Sequence, residues 1–261
     1  MRVPVSEEQG TSPILIVGVA FLLAFAALLL LRAAPSPAGF ADWFPNGASN
    51  APHTAPAVVQ PGTPSTLTPI QARVGLQVGH WERENLPEEL AILRTQSGAS
   101  SAGYNEVDIN YAVAHRVADL LRARGITVDI LPATIPPGYQ ADAFIAIHCD
   151  ANNDPGISGF KLARHGNSAI PARDDALINA ITATYGPATG QRLDGLISRA
   201  MIYYYAFNSG DFAHAISPQT PATIIELGFL TNAADRALLI NQQPAISQGL
   251  ADGIIRFLSG Q

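Results

Sequence analysis

Short apolar runs alternate with longer segments of helical spacing over the last three quarters of the chain. Five runs have the length and composition of buried strands, at 74–78, 126–131, 143–147, 159–163 and 223–227. Helices are predicted at 106–124, at 171–184, from Asn232 to an interruption at Pro244, and from there to about Ser259. The stretch 190–206 follows neither period clearly. Strands that alternate with helices predict one α/β domain with a mostly parallel sheet covered by helices on both faces.

The N-terminal part has a different pattern. Residues 14–31 form an uncharged, mostly apolar run of 18 residues, just long enough to cross a bilayer of about 30 Å. We interpret 1–32 as a membrane anchor or signal segment. An uncleaved anchor is favoured because the preceding segment lacks the basic start of a signal peptide. Residues 33–70 contain eight prolines and one charge, which predicts a disordered linker. The folded domain is therefore predicted over 71–261.

Charge and cysteine content narrow the classes of function. The formal net charge of −6 gives no electrostatic reason to expect nucleic-acid binding. Cys149 is the only cysteine, so intrachain disulfides and cysteine-based zinc fingers are excluded. Adjacent strand residues point to opposite faces, so Cys149 is predicted to face away from His148 and to pack as a small hydrophobe.

Polar residues of chemical interest lie where the predicted strands end. His80 follows the first strand, His148 ends a central strand, Glu226 lies in the last strand, and Glu106 opens the first helix. Sites in parallel sheets form at the carboxyl ends of strands. Two histidines and a carboxylate are typical ligands of catalytic zinc, and a second carboxylate can transfer protons. The pattern suggests His80, Glu106 and His148 as ligands of one Zn²⁺ and Glu226 as general base, although each residue alone is also compatible with a purely structural role.

Four segments occur in this order along the chain: VGLQVGH (74–80), NEVDINYAVAHRVADLLRARGITVDIL (105–131), AFIAIHCDAN (143–152) and TIIELGFLTNAADRALL (223–239). Together they resemble the zinc-dependent N-acetylmuramoyl-L-alanine amidases of bacterial autolysins and cell-division hydrolases. The resemblance implies hydrolysis of the amide bond between N-acetylmuramic acid and L-alanine in peptidoglycan. It matches His80, Glu106 and His148 to the zinc ligands and Glu226 to the catalytic glutamate. It also implies a sheet of about six strands, a usual size.

The sequence departs from the family near the expected cleft. Trp81 follows the first histidine in place of glycine, and Val107 follows Glu106 in place of a basic residue. The segment 131–142 is short and has no arginine, so Arg83 or Arg94 is a candidate for the missing positive charge. His214 is a candidate substrate contact. We also hypothesise, from length and position, that residues 81–105 cover the cleft.

Two other functions remain open at this stage. A non-catalytic or partner-dependent peptidoglycan-binding module would retain the same fold. A different zinc peptidase, such as a carboxypeptidase, needs a His-x-x-Glu pair, and here Arg83 occupies the second position. Because peptidoglycan lies outside the cytoplasm, we expect a membrane-anchored protein with an extracytoplasmic catalytic domain, or a secreted one if the N-terminal segment is cleaved.

Overall fold

The computed structural model describes residues 70–260. The main sheet contains β1 (Arg73–Val78), β4 (Thr127–Leu131), β5 (Ala143–Asp150), β6 (Lys161–Ala163) and β7 (Ala222–Phe229), and β2 (Ser100–Ser101) and β3 (Tyr104–Asn105) form a separate ribbon. The α-helices are α1 (Glu106–Arg122), α2 (Pro171–Thr189), α3 (Arg199–Ile202), α4 (Ala233–Asn241) and α5 (Gln243–Leu258). Short 3₁₀ helices span Arg83–Asn85, Glu88–Thr95 and Tyr205–Phe207.

The five strands of the main sheet lie in the order β4-β1-β5-β7-β6. All neighbours are parallel except β6, which runs antiparallel to β7. The predicted α/β class and mostly parallel sheet are confirmed, but the number of strands is five rather than about six. The chain between β4 and β5 is short and contains Pro132, Pro136 and Pro137, which cannot donate backbone hydrogen bonds to a sheet.

The two faces of the sheet are covered differently. Ile145, Ile147 and Cys149 pack into one core with residues of α1, α2 and α5. Phe144 and Ala146 point to the other face, into a second core that includes residues of α3 and the following 3₁₀ helix. Both faces are therefore covered, as predicted, but the long helices lie on one face and short helical segments and loops cover the other.

The segment after β7 folds as its sequence suggests. The side chain of Asn232 caps α4 by accepting hydrogen bonds from the backbone N–H groups of Ala234 and Asp235. Asp235 is buried, and its Oδ2 accepts from the N–H groups of Gly159 and Phe229, each at 2.9 Å. This carboxylate thereby joins the start of α4 to the end of β7, the strand that carries Glu226.

The predictions for the N-terminal part fall outside the described residues. The anchor or signal segment at 1–32 and all of the linker except Ile70 belong to this part. Within residues 70–260, no helix combines the length and the apolar character that crossing a membrane requires.

Candidate active site

His80, Glu106 and His148 meet at the carboxyl edge of the sheet. Each offers one ligand atom, and these atoms lie within 4.8 Å of one another. His80 follows β1, Glu106 is the first residue of α1, and His148 lies near the end of β5. The three residues predicted from the sequence as metal ligands are therefore brought together, in a cluster that could hold a metal ion.

Glu106 is the centre of this cluster. Its Oε1 is 2.8 Å from Nδ1 of His148 and 3.4 Å from Nε2 of His80. Its Oε2 accepts a 2.6 Å hydrogen bond from the backbone N–H of Ala99. Burial acts to raise the pKa of the carboxyl, but the hydrogen bond and charge of His148, with the charge of His80, outweigh burial and lower the pKa to about 2. Glu106 is therefore an anion at neutral pH, as a metal ligand must be.

The environment of His80 makes it suitable as a neutral ligand. Its Nδ1 is 2.8 Å from the carbonyl oxygen of Gln96, which can only accept, so Nδ1 carries the ring proton. The lone pair is then on Nε2, the atom that faces Glu106. Burial lowers the pKa of the imidazole despite the nearby charge of Glu106, and the charge of His148 lowers it further. A backbone carbonyl on the second nitrogen is a common support of metal-binding histidines.

Two glycines allow the three side chains of the cluster to approach so closely. A Cβ on Gly79 would lie 2.4 Å from Cε1 of the His148 ring. Gly98 has φ of +80°, and a Cβ there would lie 2.6 Å from Oε2 of Glu106 and 2.7 Å from Cδ2 of His80. Any larger residue at either position would displace a side chain of the cluster, and at Gly98 it would also strain the backbone.

Glu226 faces the same cleft from β7. It pairs in register with His148 across the parallel strands β5 and β7. Its Oε2 is buried and has no hydrogen-bond partner within the described structure. Burial, and then the charges of Glu106 and Asp150, raise the pKa of Glu226 well above the ordinary value, while Lys161 opposes the shift. A carboxyl that is buried beside the cluster and faces the cleft is in a position to exchange a proton with a group bound there.

The cluster opens into a cleft of about 420 Å³. His80, His148 and Glu226 are among the residues that line it. One wall comes from residues 83–96, including Arg83 and Leu90, and the other from residues 198–205. The sequence led to the hypothesis that residues 81–105 cover the cleft; in the structure, residues 83–96 of this segment form one wall of it.

Other residues singled out from the sequence have definite places. Cys149 is buried in the core on the opposite face from His148, as predicted. His214 contacts Glu89, with 2.8 Å between its Nδ1 and Oε1 of the carboxylate. Arg94 donates to the Leu86 carbonyl and to Glu88. Of the two candidate arginines, Arg83 is the one that lines the cleft.

Sequence reasoning missed two residues beside the cluster, Gln77 and Tyr204. The hydroxyl of Tyr204 lies 2.9 Å from Nε2 of His148 and donates to Oε1 of Gln77. Gln77 gave a usable signal, because it is a polar residue in the apolar strand β1 and is fully buried. Tyr204 gave none, since it lies in the stretch 190–206 that has no clear period.

An α/β domain that holds a His–Glu–His cluster and a further carboxylate at its sheet edge has the arrangement of a metal-dependent hydrolase. A family model described as N-acetylmuramoyl-L-alanine amidase matches residues 74–256. The chain belongs to this N-acetylmuramoyl-L-alanine amidase family, whose members hydrolyse an amide bond of peptidoglycan. No curated protein matches the chain.

Several solved structures share the fold. Ami1 from Mycobacterium smegmatis has a TM-score of 0.55 and 19% identity, covering 74% of this chain and 100% of that one. An N-acetylmuramoyl-L-alanine amidase from Clostridium difficile 630 has a TM-score of 0.53 and 18% identity, covering 74% of this chain and 99% of that one. The CwlD amidase from Clostridioides difficile was solved in complex with the GerS lipoprotein. It has a TM-score of 0.53 and 16% identity, covering 73% of this chain and 100% of that one. At these identities the likeness establishes the fold.

Proposed function

We propose that this amidase hydrolyses the bond between N-acetylmuramic acid and L-alanine with one zinc ion held by His80, Glu106 and His148, and with Glu226 as general base. The observation that carries the proposal is the convergence of the three ligand atoms within 4.8 Å at the sheet edge that also presents Glu226. A neutral His80 and an anionic Glu106 fit the donor set of catalytic zinc, which leaves a position for substrate or water.

Zinc, when bound, supplies Lewis acidity that stabilises negative charge developing on the amide oxygen. Glu226 takes a proton from the attacking water, while the water oxygen forms a bond to the carbonyl carbon. The same carboxyl then delivers that proton to the nitrogen of L-alanine as the C–N bond breaks. The products are the muramic acid carboxylate and a stem peptide with a free amino group.

Mass spectrometry of the soluble products tests this reaction. The full chain is incubated with purified peptidoglycan and zinc, and a parallel sample contains a chelator. We expect free stem peptides that begin with an unblocked L-alanine, formed only when zinc is present. Release of a C-terminal amino acid from an intact muramoyl peptide would indicate a peptidase instead. Retention on peptidoglycan without any product would indicate a binding module or a partner-dependent enzyme.

Replacement of Glu226 separates its proposed role from metal binding. Glu226→Gln keeps the shape of the side chain but cannot accept a proton as a base, so we expect turnover to fall about 10²–10⁴-fold while zinc remains bound. Glu84→Gln, at an exposed position in the 3₁₀ helix Arg83–Asn85, is the matched control and should keep full activity. Activity like that of the wild type in Glu226→Gln would refute the assignment of the base.

We also propose that the domain acts outside the cytoplasm, where peptidoglycan lies. Residues 14–31 would anchor the chain in the membrane, and residues 33–70 would tether the catalytic domain, 71–261, within reach of the wall. The support is the uncharged apolar run of 18 residues followed by a proline-rich stretch with a single charge.

A further inference from the structure

A continuous set of hydrogen bonds lies behind His148, on the side away from the other proposed ligands. Nε2 of His148 is 2.9 Å from the hydroxyl of Tyr204, which is 3.0 Å from Oε1 of Gln77. Nε2 of Gln77 donates to the Ala133 carbonyl at 3.0 Å and to the Tyr205 hydroxyl at 2.8 Å. The Tyr205 hydroxyl in turn donates to the same carbonyl at 2.5 Å. Four side chains are thus linked to one backbone acceptor.

The Ala133 carbonyl determines which group donates and which accepts in each of these hydrogen bonds. A carbonyl only accepts, so the Gln77 atom that faces it is the NH₂ group. Oε1 of Gln77 then faces Tyr204 and also only accepts, so the Tyr204 hydroxyl directs its proton to Gln77. The hydroxyl oxygen is left to accept from His148, and the partner that it accepts from is Nε2–H.

This direction has a consequence for metal binding. With one proton held on Nε2, the nitrogen that can exchange its proton for a metal ion is Nδ1, which contacts the carboxylate of Glu106 at 2.8 Å. We infer that Tyr204, oriented by Gln77, is a positioning residue that holds His148 in the tautomer whose Nδ1 binds the metal. The inference rests on the proposed function, because it takes His148 to be a zinc ligand. It adds the groups that prepare this ligand.

The alternation of side chains along β1 places Gln77 on the same face of the sheet as His148. In β1, Val74, Leu76 and Val78 point into the core beneath the long helices, so Gln77 points to the opposite face with His148 and Glu226. Gln77 pairs in register with Ala146, whose small side chain leaves room for the amide. Burial of an amide is costly unless all of its hydrogen bonds are made. Here both amide groups of Gln77 have partners, and one of these partners, Tyr204, contacts the proposed ligand His148.

Tyr204→Phe removes the hydroxyl while it keeps the ring that packs edge-on against His148, with centroids 5.4 Å apart. We expect the zinc affinity of the full chain, measured by competition with a chromophoric chelator, to fall about 10–100-fold. Tyr185→Phe is the matched control, since its buried hydroxyl donates to the Leu227 carbonyl at 2.8 Å, apart from the cluster. The control should lose thermal stability but bind zinc within about twofold of the wild type.

Nitrogen-edited NMR of the zinc-loaded chain gives a readout that a merely structural role would not change. In the wild type the ring proton of His148 should be found on Nε2 and be protected from exchange by its hydrogen bond. Tyr204→Phe should shift this proton upfield and speed its exchange, and Tyr185→Phe should leave it unchanged. A wild-type ring proton on Nδ1 would overturn the inference.

A second variant keeps the test decisive if Tyr204→Phe does not fold. Gln77→Met removes the acceptor that orients the Tyr204 hydroxyl, so the hydroxyl is free to donate to His148 and to favour the wrong tautomer. Zinc affinity should fall here too, and the double variant should lose no more than Tyr204→Phe alone, since Gln77 acts through Tyr204.

The outcomes also separate this inference from the proposed function. Zinc binding and turnover in the wild type, with unchanged zinc affinity in both Tyr204→Phe and Gln77→Met, would refute only the role of Tyr204. A wild-type chain that binds no zinc would refute the proposed metal site itself, and the inference with it.

Discussion

Polar atoms without partners identify the groups in the cleft that are available to a substrate. Most polar side chains at the sheet edge have their hydrogen bonds made within the protein, as the contacts of Glu106 and Gln77 illustrate. Among the described residues that line the cleft, Nε of Arg83 and Oε2 of Glu226 are buried atoms without a partner. Unpaired groups of this kind are costly in a closed protein and are expected where a ligand will meet them.

The position of Arg83 predicts a role in substrate binding. It lines the cleft, and its charge is close enough to His80 to act on the pKa of that imidazole. Stem peptides carry free carboxylates, so we expect Arg83 to bind one of them through a charge-assisted hydrogen bond. Arg83→Ala should raise KM for muropeptides about 10–100-fold, as loss of such a bond predicts, with little change in kcat. Steady-state kinetics on a soluble muropeptide measures both constants.

Arg94 provides the control for this prediction. It lies in the same segment, but its side chain donates to Leu86 and Glu88. Arg94→Ala removes an equal charge, so its KM should stay within about threefold of the wild type if the effect of Arg83 is a specific contact rather than a general electrostatic one. A fall in kcat with unchanged KM in Arg83→Ala would place the arginine in the chemical step and contradict the prediction.

The sequence was most informative at this residue scale. His80, Glu106, His148 and Glu226 could be predicted because a titratable side chain at the end of an apolar strand is unusual, and parallel strands bring such ends together. The contact between Tyr204 and Gln77 could not be predicted, because the two residues are 127 positions apart in the sequence. Sequence periodicity reports local structure only, and 196–207 takes its shape from packing on the sheet face.

At the scale of elements, the segment between β1 and α1 is both a wall of the cleft and a support of the His80–Glu106–His148 cluster. Gln96 accepts from His80, and the N–H of Ala99 donates to Glu106. Leu86 and Leu90 anchor the segment in a small core with Ala133. Glu89 joins it to the loop after the 3₁₀ helix Tyr205–Phe207. The segment therefore supports the cluster from one side, as the sheet does from the other strands.

Deletion of residues 84–101 tests which of these roles dominates. A segment that only covered the cleft would, when deleted, leave a more active enzyme. Because Gln96 and Ala99 contact two of the proposed ligands, we expect the deletion to lower both zinc affinity and turnover at least 10-fold. Glu89→Ala is the comparison, since it releases the loop at Ala213 and His214 but keeps both ligand contacts. Glu89→Ala should therefore retain its zinc affinity. If the deletion variant is instead more active than the wild type, the hypothesis that the segment covers the cleft would be supported.

Elements were predicted less evenly than residues. The five apolar runs are confirmed as strands of a sheet that is covered on both faces, and the helix from Glu106 is confirmed because its spacing buries one face. The expectation of about six strands came from the family resemblance and is wrong for the described residues, whose main sheet has five strands and none in the proline-containing segment between β4 and β5. The 3₁₀ helices of the cleft wall have no sequence period of their own to reveal them.

At the scale of the whole molecule, the substrate limits where the enzyme can act. Peptidoglycan is an insoluble network outside the cytoplasm, so a tethered catalytic domain meets only the wall within reach of its linker. Residues 33–70 contain eight prolines, which favour an extended chain over a compact one. A membrane anchor followed by such a linker would restrict cleavage to the inner layers of the wall, whereas a cleaved signal would release the enzyme to all of them.

Two substitutions at the centre of residues 14–31 distinguish these cases. Arginine at the middle of a membrane helix costs about 2.5–3.5 kcal/mol per residue, so Leu22→Arg with Leu23→Arg should prevent stable insertion. The wild-type chain should fractionate with membranes and keep its first residues, as intact mass measurement would show. The double arginine variant should leave the membrane fraction, and Leu22→Ala with Leu23→Ala, as the control, should remain there. A wild-type protein recovered in soluble form without its N-terminal segment would instead establish cleavage, and the anchor would be refuted.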